Sequence, residues 1–477
     1  MGTAETVLKN TGLVLASNLS QKALKLVLVA LIARMLGVEG FGLYSFVFSY
    51  VILLAILTNP GLDTLNLRDI AQDRKKASSV LKTALSLKIV LSLLTLALVL
   101  STIKLLGYDY ATIFFVFLAG ISVLLDSVSD TFKTVFFSFE RIDFVVKLST
   151  VSKIVLLAAS IAALFSGYGV FGLVVSAILA SIVNFALSWY YCGKIVRPEI
   201  ALQKSMPQEW LKMLVRARHF FFLGIFMIVF GKIDIIMLSY FKGNAAVGYY
   251  DSAVRLIESL AIFSTSFYTT VFPVMSRYFA QEKPVSGILE KSSKFILVFS
   301  LPIAIGTTMI SGQIISVIYG AQFAPASAAL AILIWYTVLN YLSELFNLQL
   351  YSMSKEKQVS YIFAFSVALN ILLNLLLIPE YSFVGSAAAT FVSQLVFIAA
   401  AAIMLWRELA KVNWLDVLGK PLAASLVMSA AIFFSPEKSI WFVVPFAAIV
   451  YFAFLLMIKG VSKEEISIVR KAIMRAG

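Results

Sequence analysis

Residues 37–44 read Gly37-Val38-Glu39-Gly40-Phe41-Gly42-Leu43-Tyr44, and residues 243–250 read Gly243-Asn244-Ala245-Ala246-Val247-Gly248-Tyr249-Tyr250. Both fit G-x-x-(G/A)-(F/V)-G-x-Y at a constant offset of 206 residues. Each copy lies between two long apolar runs. Glycine accepts positive φ, which suits the tight turn that two adjacent membrane helices need. Two copies at corresponding places predict a duplicated helical bundle. The repeat continues with a second register. Gly107-Tyr108-Asp109-Tyr110-Ala111 resembles Gly320-Ala321-Gln322-Phe323-Ala324, and Phe171-Gly172 resembles Val384-Gly385, both at an offset of 213.

Composition sets the solvent. The 477 residues are 61% hydrophobic and 13% charged, with a mean hydropathy of +0.95. Soluble domains are nearer half apolar and a quarter charged, so this is an all-α, polytopic membrane protein. One cysteine, Cys192, excludes an internal disulfide, and one histidine, His219, argues against a histidine-based metal site. No G-x-x-x-x-G-K-(S/T) run marks an ATP-driven motor. No cofactor is expected. The amino-terminal stretch lacks a basic region and a small-residue cleavage site, so the first span reads as a retained helix.

Apolar runs long enough to span recur about every thirty residues, at 11–34, 42–62, 83–104, 111–132, 148–166, 169–191, 220–240, 246–272, 294–312, 325–349, 359–378, 383–405, 421–435 and 440–458. The thirteenth is the shortest, ended by Ser435-Pro436. With a cytoplasmic amino terminus, 29 of the 39 Lys and Arg residues fall on the cytoplasmic side and 4 on the other. That asymmetry follows the positive-inside rule and predicts two cytoplasmic termini. It also accounts for the net charge of +14 without a nucleic-acid partner. Five of the six tryptophans lie near span ends or in flanking loops, as interfacial anchors do. The longest cytoplasmic linker, 192–219, falls between the repeats, and Pro207-Gln208-Glu209-Trp210-Leu211 opens an amphipathic helix within it. The expected organisation is a six-helix lobe over 1–205, a second over 206–405, and two further spans with a basic tail over 406–477.

Several stretches together resemble the multidrug/oligosaccharidyl-lipid/polysaccharide flippase superfamily, and most of all its polysaccharide (O-antigen-type) flippase branch. They are Ala33-Arg34-Met35-Leu36-Gly37 through Tyr44-Ser45-Phe46, Val247-Gly248-Tyr249-Tyr250 with Arg255-Leu256, and Tyr319-Gly320 with Phe323-Ala324-Pro325-Ala326. Asn370-Ile371-Leu372-Leu373-Asn374 running to Ile378-Pro379, and Val384-Gly385-Ser386-Ala387-Ala388-Ala389-Thr390, complete the set. The resemblance implies fourteen helices in two pseudo-symmetric lobes around a central cavity. It implies alternating access that carries a polyprenyl-linked glycan to the outer leaflet of the cell membrane. Its implied partners are the lipid-linked oligosaccharide, membrane lipid and other polysaccharide-assembly proteins.

An ionisable group at mid-span costs about 2.5–3.5 kcal/mol on insertion scales, so each needs a reason. Asn18, Lys22 and Lys25 stack on one face of span 1 at i, i+4, i+7. Asp251, Arg255 and Glu258 repeat that spacing in span 8, where they can also pair along their own helix. These six are the candidate substrate contacts. Asp126 and Asp130 in span 4, with Lys133, and Glu344 in span 10, between Asn340 and Asn347, are candidates for ion coupling. Asn370 and Asn374 add a polar stripe in span 11, though interhelical hydrogen bonding explains asparagines equally well. Lys232 and Asp234 in span 7 do not share a face. Lys88 and Lys153, near cytoplasmic ends, are expected to snorkel.

Charge matching favours a flippase, because a diphosphate needs cations in a low-dielectric cavity, and Lys22, Lys25 and Arg255 supply them. A cation-coupled multidrug exporter of the same superfamily is the alternative, resting on Asp126, Asp130, Asp251 and Glu258. A membrane glycosyltransferase would need outer loops large enough for an active site, and the outer loops here are short. No residue cluster supports enzymatic chemistry.

Overall fold

The computed structural model describes residues 3–196, 206–260, 262–281, 285–437 and 439–460. Among them there are helices and turns and no strand. The long helices are α1 (Thr3–Ala55), α3 (Ala77–Leu105), α4 (Tyr110–Ser138), α5 (Ile142–Phe165), α6 (Gly169–Gly193), α7 (Met206–Leu260), α9 (Ser286–Tyr319), α10 (Ala326–Ser352), α11 (Glu356–Met404), α13 (Lys420–Phe434) and α14 (Ile440–Met457). Shorter ones are α2 (Leu62–Gln72), α8 (Ile262–Ala280) and α12 (Trp406–Leu409). Eleven helical segments among the described residues are long and apolar enough to cross a membrane.

Four long helices are broken, α9 among them at Ile310, which has φ −113° and ψ 19°. Gly37 has φ 70° and ψ −176° inside α1, and Gly243 has φ 78° and ψ −175° inside α7. The first glycine of each motif copy thus takes the left-handed φ expected of it, with nearly the same ψ. Ser382 breaks α11 at φ 52°. A straight helix of 49 residues would run about 74 Å, against a hydrocarbon layer of about 30 Å, so the break in α11 is needed if it is to stay in a bilayer. Ser382 lies 213 residues after Gly169, which also has positive φ, and Gly107 and Gly320, in the same register, are at 78° and 98°. The turns therefore repeat as the sequence does.

The sequence expectations need two adjustments here. The helix expected to open at Pro207 is not separate from span 7, because α7 runs unbroken from Met206 to the Gly243 kink. The short thirteenth span does end at Ser435, and a π-helical turn, Leu415–Gly419, lengthens its start. Between spans, Asp109 caps α4 by accepting from the Ala111 and Thr112 amides and, at 2.6 Å, from the Thr112 hydroxyl. That hydroxyl bond is the main reason its carboxyl is held below the usual range.

Contacts group the chain into two compact units. In the one formed by residues up to Asp251 with Asn374–Ser382, α4 packs against α3 and α6, α5 packs on α6, and α1 lies against α4, α5 and α6. Its core joins Ile70, Leu81, Leu85, Phe132, Phe136, Leu148 and Cys192. In the one formed by Ser252–Leu373 and the chain from Phe383, α9 packs on α10, α13 and α14. Val298, Ala424, Met428, Val443, Tyr451 and Leu455 are buried together there. The Tyr451 hydroxyl donates to the Val298 carbonyl at 2.7 Å, and Asp416 takes both Lys294 and Lys420.

Candidate functional site

Polar side chains inside an apolar bundle must find partners or line water. Four groups of them stand out. The first is the junction of the two motif copies. A Cβ on Gly42 would collide with the carbonyl oxygen of Asn244, and a Cβ on Gly248 with that of Val38. Gly42 and Gly248 are equivalent in the repeat, and so are Val38 and Asn244. The contact is thus made twice, each copy supplying the glycine once and the carbonyl once. Ser45 donates to Asp251 at 2.6 Å beside it, both fully buried.

The second group surrounds Asp234. It is 5% exposed in α7 and accepts from the Tyr250 hydroxyl at 2.5 Å and the Asn374 amide at 2.6 Å. Sequence spacing gave no reason to prefer Asp234 to Lys232, since its partners lie 16 and 140 residues away. The third is Asp126, in α4. It takes the Ser181 hydroxyl at 2.8 Å and the Asn184 amide at 2.7 Å, both from α6. Asp130, expected to share its role, is exposed and pairs with Lys133 at 2.8 Å.

The fourth group corrects an expectation. Lys88 does not snorkel. Its side chain is fully buried, with both Asp63 oxygens at 2.9 Å and the Ser127 carbonyl at 2.7 Å. Asn59 donates to Asp63 at 2.7 Å from the preceding turn. A lysine stem can reach water only if the path is open, and here α2 folds back and brings a carboxylate instead. Lys153 is exposed.

The remaining candidates differ in exposure. Lys25 is exposed on α1, while the Asn18 and Lys22 side chains lie outside the described residues, as does that of His219. Asp251, Arg255 and Glu258 differ sharply in environment: buried, partly buried and exposed in that order. Glu344 is exposed on α10, whereas Asn347 is buried with its side-chain oxygen unpartnered among the described residues. Asn370 and Asn374 are both fully buried.

Comparison with known proteins follows this geometry. Residues 7–279, more than half of the chain, match the family described as "Polysaccharide biosynthesis protein", and residues 212–452 match "Lipid II flippase MurJ". A relative in Haloferax volcanii, "Probable low-salt glycan biosynthesis flippase Agl15", is 22% identical over 387 residues, covering 79% of each chain. A solved structure of the lipid II flippase MurJ in an inward closed conformation superposes with a TM-score of 0.75 at 15% identity, over 92% of this chain and 97% of that one. An inward-facing multidrug resistance transporter of the MATE family gives 0.65 at 13% identity, over 82% and 96%. The chain belongs to the polysaccharide biosynthesis protein family, in the flippase branch of the multidrug/oligosaccharidyl-lipid/polysaccharide superfamily.

Proposed function

We propose that this protein flips a polyprenyl-diphosphate-linked oligosaccharide from the cytoplasmic to the outer leaflet by alternating access, for a cell-surface glycan. The observation that carries this reading is the pair of family matches, which between them run from residue 7 to residue 452. Counting α1, α7 and α11 as two spans each gives fourteen crossings, with both termini cytoplasmic. The repeat divides them into six-helix lobes over 1–205 and 206–405, with two added spans over 406–477. In this reading Asn18, Lys22 and Lys25 face the substrate path, and Arg255 and Glu258 lie along it. Asp251 serves the motif junction instead, because it is buried against Ser45. Asp126, Asp130 and Glu344 are coupling candidates, and Asp234 joins them as a buried intramembrane carboxylate with two neutral donors.

The test is a reconstituted flipping assay with a short-chain polyprenyl-diphosphate sugar carrying a fluorophore. Wild-type vesicles should make the inward-facing pool accessible to quencher, and Asp234→Asn should slow this at least tenfold without loss of protein. Wild-type vesicles that leave the lipid-linked sugar unmoved but extrude a cationic dye would establish the drug-exporter reading. Asp126, held among the described residues by the neutral donors Ser181 and Asn184, is the observation that favours that second reading.

A further inference from the structure

Helix α7 is described from Met206, well ahead of the apolar run over 220–240. One side of this leading segment is occupied. Met213 and Ala217 are buried with Leu62, Leu65, Ala84 and Leu87, and Trp210 packs on the same cluster. The Trp210 indole N–H donates to Ser86 at 3.2 Å, and Arg216 donates to Asp69 at 2.7 Å. The opposite side is open. Leu211 is 64% exposed and Val215 is 50% exposed, and their spacing of four stacks them on one face. Lys212 and Arg218 flank that pair, are exposed, and have no acidic partner among the described residues. Locally, Arg68, Lys212, Arg216 and Arg218 outnumber Asp69 and Glu209, and Asp69 is already shared between Arg68 and Arg216.

The depth of this segment follows from helix length. The stretch Arg74–Leu105 has 32 residues, about 48 Å of helix, against a hydrocarbon layer of about 30 Å. The excess lies at its amino-terminal end, where Arg74, Lys75 and Lys76 are exposed. About twelve residues then stand outside the hydrocarbon. The boundary falls near Ser86, the residue that Trp210 touches.

We propose that residues 208–218, the leading turns of the unbroken α7, stand at the membrane–water interface and bind anionic phospholipid headgroups. Leu211 and Val215 enter the interfacial layer, and Lys212 and Arg218 hold headgroup phosphates. An apolar pair set between free cations is the pattern of an interfacial helix, and its excess positive charge selects anionic over zwitterionic lipid. This inference is independent of the flippase reading.

The experiment uses the full chain in nanodiscs, with single cysteines Leu211→Cys or Val215→Cys on a Cys192→Ala background, each carrying a nitroxide. In discs containing phosphatidylglycerol, both labels should be accessible to oxygen and shielded from an aqueous nickel chelate. The double variant Lys212→Gln, Arg218→Gln should retain phosphatidylglycerol about fivefold more weakly per charge removed, read by native mass spectrometry. Labels open to the chelate would place the segment in water and overturn the proposal. Labels shielded from both quenchers would mean that protein covers this face, which also overturns it. Unchanged phosphatidylglycerol retention in the double variant would do the same for the headgroup contact.

Discussion

Ser45 and Asp251 occupy the same place in two copies of one motif, 206 residues apart, and they are hydrogen-bonded to each other at 2.6 Å. Equivalent residues of a repeat can touch only near the axis that relates the copies. The pair therefore marks a local two-fold axis, with the Gly42 and Gly248 contacts on either side of it. Ser45→Ala removes a donor from a buried carboxylate and should cost about 1–3 kcal/mol. Asp251→Asn keeps an acceptor for Ser45 and should cost less. Apparent melting temperatures in detergent check the order.

Gly42→Ala and Gly248→Ala should be similarly damaging, because each puts a methyl group against a backbone carbonyl of the other copy. Overpacking of this kind costs about 1–3 kcal/mol, more where backbone has to move. Gly231→Ala is the control, since a Cβ there meets nothing within 4 Å. If both motif variants melt with Gly231→Ala, the close approach does not matter to stability.

The Lys88–Asp63 pair gives a sharper contrast. Lys88→Met should destabilise by on the order of 3 kcal/mol, because it leaves Asp63 without its cation. The double variant Lys88→Met, Asp63→Asn should recover most of that loss, since an ion pair replaced as a whole costs less than one broken. A double variant as unstable as the single one would show that packing, not charge, is responsible.

Transport separates the cationic stripe from these structural roles. Lys22→Ala and Lys25→Ala should reduce flipping of a diphosphate-linked sugar with expression unchanged. Lys→Arg should be tolerated better, because a flexible diphosphate needs charge more than shape. Full flipping with both lysines neutralised would remove span 1 from the site.

Orientation is open to direct measurement. Ala245→Cys, on a Cys192→Ala background, should label from the outer side only if the Lys- and Arg-rich loops are cytoplasmic, as the positive-inside rule predicts. Labelling solely from the cytoplasm would invert the topology.

Much of the architecture was legible in the chain. The 206-residue repeat located the kinks at Gly37 and Gly243, because only glycine takes that φ without strain. Ser382 was not legible, since a serine at positive φ carries no such signature. It became meaningful only when seen in the register of Gly169.

By itself, the sequence determined the membrane class, the helical period and the duplication, because hydrophobicity and glycine placement act locally along a chain. Only the tertiary structure decided which charged groups stay exposed and which hold helices together. Lys88 looked like a snorkelling lysine until α2 brought Asp63 to it from 25 residues away. Asp251, one of a stripe with Arg255 and Glu258, also meets Ser45, which no spacing along span 8 predicts. Asp234 looked unremarkable until Tyr250 and Asn374 converged on it. The physical reason is the same in each case. In a low-dielectric interior the role of a charge is set by the nearest partner in space, and helical spacing predicts partners only along one helix.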